Sequence, residues 1–135
     1  MWNLGKQEVL VIFKVIIAGG RDFNDYELLK MKCDYYLSFV QDSEIVIVSG
    51  HASGADSLGE QYANEKGYQL DVHPADWDKY GKSAGYRRNQ EMVDVASAAI
   101  CFWDGKSKGT KHTIDLCKKK DIPCKVIKYE IICGK

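Results

Sequence analysis

An α/β fold, with a parallel sheet of about five strands and helices on both faces, is the expectation from three features of this chain. Short β-branched runs alternate with helical stripes, glycine-rich loops follow three of those runs, and the first run is almost continuously apolar, as a strand covered on both faces is. Each crossover between parallel strands must be right-handed, and helices are expected on both faces of the sheet. The architecture is a Rossmann-like three-layer sandwich.

Val9 to Ala18 has enough Val, Ile and Phe for one long strand, or for a short extra strand followed by a central strand Lys14 to Ala18. Residues 1–13 are read as an amino-terminal extension or extra strand, and 14–135 as a single domain. Asn24 and Glu27, three apart, predict a capping box for a helix whose stripe is Leu29, Cys33, Tyr36, Leu37 and Val40. Ile45 to Val48 is the second strand. The next helix runs from Asp56 to about Lys66, with Gly67 just past its end. Gln69 to His73 is less apolar and reads as a third strand nearer an edge. Pro74 to Gly85 is expected to be a long irregular loop, which is often a functional feature. Arg87, Arg88 and Asn89 then open a helix with inner positions Met92, Val93 and Ala96. Ala98 to Trp103 is the fourth strand, Thr110 is the expected cap of the last helix, and Cys124 to Ile132 closes the sheet.

At 135 residues and 45% hydrophobic the chain suits one domain with a sizeable core. Lys plus Arg equals Asp plus Glu at 19 each, so no overall field draws the protein to nucleic acid or membrane. The balance hides an asymmetry: residues 1–100 carry 10 basic and 15 acidic side chains, and 101–135 carry 9 and 4. Lys106, Lys108 and Lys111 are either a solvated face or an aid to phosphate binding. The five cysteines form no C-x-x-C pair, so neither a disulfide framework nor a metal site is expected, and Cys33, Cys101 and Cys117 read as buried thiols. No run approaches a membrane span, and the expected location is the cytoplasm.

The functional signal is the convergence of three loops at the carboxyl edge of the sheet. Gly19, Gly20, Arg21, Asp22 and Phe23 follow the first strand; Ser49, Gly50, His51, Gly54 and Asp56 follow the second; Trp103, Asp104, Gly105, Ser107, Lys108, Gly109 and Thr110 follow the fourth. Glycines let a backbone approach a phosphate, hydroxyls donate to it, and helix starts offer unpaired N–H groups. Each loop taken singly is also consistent with tight-turn geometry. Arg21, Arg87 and Arg88 could clamp a phosphate or pair with nearby carboxylates. Asp22, Asp56 and Asp104 are candidates for ribose hydroxyls or for base chemistry, and His51, the one histidine inside a glycine loop, for proton transfer. Trp77 and Trp103 could stack on a base or simply pack. Asn89 completes the expected site. No loop carries the dinucleotide fingerprint or the P-loop, which weakens dehydrogenase and NTPase readings. No cofactor is expected.

The stretches VIIAGGRDF, VSGHASGADSLGEQYA, PADWDKYGKSAGYRRNQEM and FWDGKSKGTKHTID, in that order, resemble the YspA-like branch of the SLOG superfamily, named for Smf/DNA-processing and LOG-type proteins. The resemblance covers roughly residues 14 to 128. It implies a Rossmann-like fold whose glycine loops bind a nucleotide or nucleotide-derived ligand, as a sensor, carrier or sequestering protein. Relatives also include phosphoribohydrolases and single-strand DNA binders, so an N-glycosidic hydrolase with Asp56, Asp104 and His51 as catalytic candidates is one alternative. Nucleic acid binding is a second, disfavoured by the zero net charge. The hydrolase motif PGGxGTxxE would need a glutamate at position 113, where this chain has Thr113. A homo-oligomer is expected if Val9 to Phe13 lies on a sheet edge.

Overall fold

The computed structural model describes residues 10–131. Five parallel strands, β1 (Ile12–Gly19), β2 (Glu44–Ser49), β3 (Gln69–Val72), β4 (Ala98–Trp103) and β5 (Cys124–Lys128), form one sheet in the order β3-β2-β1-β4-β5. The helices are α1 (Tyr26–Leu37), α2 (Ala55–Lys66), α3 (Trp77–Tyr80), α4 (Ala84–Val95) and α5 (Lys108–Lys120). This is the expected α/β sandwich.

Pleat alternation divides the core into two layers. Val15, Ile17, Ile47, Ile100 and Phe102 point towards α1 and α2, where Leu29, Cys33, Tyr62 and Ala63 meet them. Ile16, Ala18, Val48, Ala99 and Cys101 face the other way, against Met92 and Val93 of α4 and Ile114 and Cys117 of α5. β1, β2 and β4 are therefore covered on both sides, which is why their sequences read as unbroken apolar runs. Cys33, Cys101 and Cys117 are buried free thiols, as expected, while Cys133 lies outside the described residues. β3 is an edge strand, as its weaker apolarity indicated.

Several local expectations are corrected. β1 begins at Ile12, two residues before the boundary drawn at Lys14, as the reading of one long strand has it, and it lies between β2 and β4, so Ile12 and Phe13 are not on a sheet edge; Val15 to Ala18 are buried, while Ile12 is exposed. Val9 and the residues before it lie outside the described residues. Asp25, not Asn24, caps α1, its Oδ1 accepting from Leu28 N–H at 3.1 Å. Residues 77–83 are not irregular: they form α3 and a single 3₁₀ turn, Gly81–Ser83, leading directly into α4. The α3 cap is Asp76, whose Oδ1 accepts from Lys79 N–H at 3.1 Å. α5 is capped by Ser107, three residues before Thr110, so Thr110 lies within the first turn and is buried. β5 ends at Lys128, after which Tyr129 turns inward against Phe23.

Among the described residues, no helix is long and apolar enough to cross a membrane.

A candidate ligand cleft at the switch between β1 and β4

Strand order reverses between β1 and β4: from β1 the chain proceeds outward through β2 and β3, then crosses to β4 and β5. At such a switch point the loops leaving two adjacent strands diverge to opposite faces and open a crevice at their carboxyl ends. Here the crevice is a cleft of about 430 Å³. Gly19, Gly20, Arg21 and Asp22 form one wall; Asp104, Ser107, Gly109, Thr110 and Thr113 form the opposite one; Asp56, Arg88, Asn89 and Met92 close the floor and side.

Two of the walls are held together by backbone contact that only glycine permits. Gly54 has φ of 75°, and a Cβ there would lie 2.2 Å from the Gly20 carbonyl oxygen. That approach lets Ala55 N–H donate to Gly20 O at 3.1 Å, so the start of α2 is fastened to the first loop. Gly20 N–H in turn donates to Phe102 O at 3.0 Å, tying the same loop to β4.

The charged groups have distinct environments. Asp56, in the first turn of α2, is only 6% exposed, and its Oδ2 accepts from Ala52 N–H at 3.2 Å. Burial pushes its carboxyl up to about 6, against the opposing pull of the Ala52 N–H, Arg88 and Arg21. Arg88 is half-buried and donates from Nη1 to Gly50 O and from Nε to Asn89 Oδ1 at 2.9 Å. Desolvation lowers its pKa from the ordinary value and the Asp56 charge opposes that. Asn89 is buried, and its Nδ2 reaches Gly109 O at 3.3 Å and His112 Nδ1 at 3.2 Å. Asp104 Oδ1 accepts from Lys106 N–H and Ser107 N–H, both at 2.8 Å; these two donors hold its carboxyl below the usual range. Its charge is thereby committed to shaping the loop.

Two further hollows adjoin this cleft, and Arg21 and Arg88 line all three. One, of about 330 Å³, is bounded by Gly50, His51, Ala52, Ser53, Pro74, Ala75 and Trp77. The other, of about 220 Å³, lies against Trp77, Lys82, Gly85, Tyr86, Asn89 and Gly109. Trp77 is 50% exposed and forms part of both. The α3 turn, unanticipated as structure, is what sets it there.

Other expected residues lie elsewhere. Phe23 is 3% exposed and stacks on Phe102 with ring centroids 4.9 Å apart, so its ring belongs to the core. Ser49 is fully buried and bonds Glu60. Arg87 points away, its guanidinium over the Tyr80 ring at 4.4 Å and its Nε on Ser83 Oγ at 3.2 Å. Trp103 donates from Nε1 to Ser107 O at 3.0 Å and packs against the α4–α5 layer. Gly105, φ 85°, turns the loop beneath Lys128, and Lys108 is exposed on α5. Lys111 is paired with Asp115 at 2.7 Å. Conversely, Met92, Thr113 and Ala52 line the cleft without having been expected there. Thr113 carried a signal, since it occupies the position where the hydrolase motif has its glutamate; its Oγ1 bonds Gly109 O at 3.4 Å. Glu60 and Tyr129 carried none, because both act through contacts distant in sequence. Tyr129 Oη donates to Asp22 Oδ1 at 2.7 Å, across 107 residues.

A model described as YspA, cpYpsA-related SLOG family (YAcAr) matches residues 13–80. The chain belongs to this family. The matched segment holds the loops after β1 and β2, and so the Gly19–Asp22 wall of the cleft and Asp56. The gene 61 protein of Mycobacterium phage D29 is 38% identical over 85 residues, spanning 58% of this chain and 68% of the phage protein. Among solved structures, DNA processing protein A (DprA) of Streptococcus pneumoniae superposes with a TM-score of 0.68 at 17% identity, over 90% of this chain and 52% of that one. DNA processing protein A of Helicobacter pylori, solved to explain its single-stranded DNA binding mode, superposes at 0.62 and 20% identity, over 90% of this chain and 67% of that one. The chain thus spans about half of the pneumococcal protein. The structural likeness establishes the Rossmann-like fold of this SLOG domain.

Proposed function

We propose that the cleft binds a nucleotide or nucleotide-derived ligand, with phosphate at the arginine pair and the sugar towards Asp56. The observation that carries this reading is the sharing of Arg21 and Arg88 by three contiguous hollows at the switch point, one of them flanked by an exposed indole. Two guanidinium groups can take phosphate oxygens bidentately, and the first turn of α5 adds unpaired N–H groups on the opposite wall. Asp56 supplies an acceptor for a ribose hydroxyl, and Trp77 a flat surface for a base. Service as a sensor, carrier or sequestering protein, a cytoplasmic location and self-association belong to the same proposal. Titration calorimetry against nucleoside phosphates, ADP-ribose, NAD and cyclic nucleotides tests it. Binding weakened by about tenfold or more in Arg88→Ala supports the reading; no heat with any of them overturns it.

Single-stranded nucleic acid is the second reading, supported by the fold shared with the Helicobacter pylori DNA binder. The balanced charge of this chain weighs against it. Oligonucleotide binding that weakens steeply with salt favours it, and absent binding removes it. An N-glycosidic hydrolase would have to rely on Asp56, since Thr113 offers no carboxylate and Asp104 is engaged by two backbone donors. Release of free base from nucleoside monophosphates, lost in Asp56→Asn, is its test.

A further inference from the structure

His51 stands in a backbone conformation that histidine rarely adopts, with φ of 61°. Its ring is held by a short chain of contacts from the core. The fully buried Ser49 hydroxyl donates to Glu60 Oε2 at 2.7 Å, and the same oxygen lies 2.9 Å from His51 Nδ1. His51 N–H donates back to Ser49 Oγ at 3.1 Å. A carboxylate on Nδ1 selects the tautomer with the proton there and leaves Nε2 as the basic nitrogen. Nδ1 is engaged by Glu60, and His51 lines the hollow it shares with Arg21 and Arg88. Those two arginines also line the cleft that contains Asp56. A base and a carboxyl therefore flank one anion clamp from two sides.

We propose that His51, oriented by Glu60, is a general base for cleavage of a ribonucleotide phosphodiester held by Arg21 and Arg88, with Asp56 as the acid. Nε2 takes the proton of the ribose 2′-hydroxyl, whose oxygen forms a bond to phosphorus. The bond from phosphorus to the 5′-oxygen breaks, and that oxygen receives the Asp56 proton. The products are a 2′,3′-cyclic phosphate and a 5′-hydroxyl; no oxidant, reductant or water is consumed, and proton exchange with solvent restores both groups. The nucleophile is already adjacent to the phosphorus in the ligand, so the protein has only to remove its proton and neutralise the phosphate. Burial that keeps Asp56 protonated up to about pH 6 suits it to donate. The proposal rests on phosphate binding at the arginine pair.

The test is incubation of the full chain with the ribodinucleotide ApA, and separately with its 2′-deoxy analogue, in the presence of a chelator, with products resolved by mass spectrometry. Cyclic phosphate from ApA alone is expected. His51→Asn, which accepts the left-handed backbone but is no base, should slow release by about a hundredfold or more. Glu60→Gln, acting through His51, should lower kcat at unchanged KM and shift the pH profile. Binding of the deoxy analogue together with no cyclic phosphate from ApA overturns this proposal alone. Cleavage undiminished in His51→Asn also overturns it. Failure to bind either dinucleotide or any mononucleotide removes the binding reading as well.

Discussion

Arg88, on α4, donates through Nη1 to the carbonyl of Gly50, 38 residues earlier in the loop after β2. This bond joins the loop after β2, which bounds the adjoining hollow, to α4. Gly50 must lack a side chain for it to form, because a Cβ there would lie 2.6 Å from the same nitrogen and 2.9 Å from Asp56 Oδ2.

Arg88→Lys should therefore fail to restore what Arg88→Ala loses. A single ammonium cannot bond Gly50 O and Asn89 Oδ1 and still face an anion. Calorimetry should show a loss of affinity for a phosphate ligand of about tenfold or more in both variants, consistent with a charged hydrogen bond worth roughly 1.5–3 kcal/mol. Near-parental affinity in the lysine variant would remove the bidentate role.

Asp56 makes stability depend on pH in a known direction. Its carboxyl is raised from 3.8 to about 6 by burial, so the folded state holds a proton more tightly than the unfolded chain. The contribution is fully present below about pH 4 and is lost as pH rises through about 6. Asp56→Asn should flatten the stability profile across that window and stabilise the protein above it by on the order of 3 kcal/mol. Urea unfolding from pH 4 to 8 measures this, and parallel profiles for parent and variant would refute it.

Two glycines, Gly54 before α2 and Gly109 in the cleft wall, should respond oppositely to alanine. Gly54→Ala places Cβ 2.2 Å from Gly20 O at a positive φ, and should destabilise by about 2 kcal/mol or more. At Gly109, in the first turn of α5, a Cβ meets nothing within 4 Å, so alanine should stabilise by roughly 0.5–1 kcal/mol. Thermal unfolding of the pair decides between strain and a mere preference for flexibility.

Phe23→Ala should lower stability by about 3–5 kcal/mol, the range for a buried aromatic. Its ring packs on both Phe102 and Tyr129. Under conditions where the variant is still folded, ligand affinity should change little. A large affinity loss with intact stability would place Phe23 in the site after all.

The sequence by itself determined the layers. Unbroken apolar runs and helical stripes separate cleanly here because β1, β2 and β4 are buried by two helical layers while the helices pack on one side, so local composition reports burial directly. Trp77 shows where that ends: Pro74 to Gly85 has no apolar stripe, since α3 buries none of its residues, and its helix is specified by the Asp76 cap instead. The candidate site was legible only as a set of loops at one edge. Which side chains enter it was decided by tertiary contact. Arg88 and Arg87 are adjacent and alike in sequence, yet one turns to Gly50 and the other to Tyr80. Phe23, beside the first glycine-rich loop, and Trp103, at the end of β4, pack inward, because an aromatic ring next to an unfilled core gains more by burial than by waiting for a ligand. His51 and Glu60 meet across nine residues because a left-handed residue reverses the chain before α2 begins. Side-chain direction at loop positions depends on what the rest of the fold leaves open, and that is not a local property of the chain.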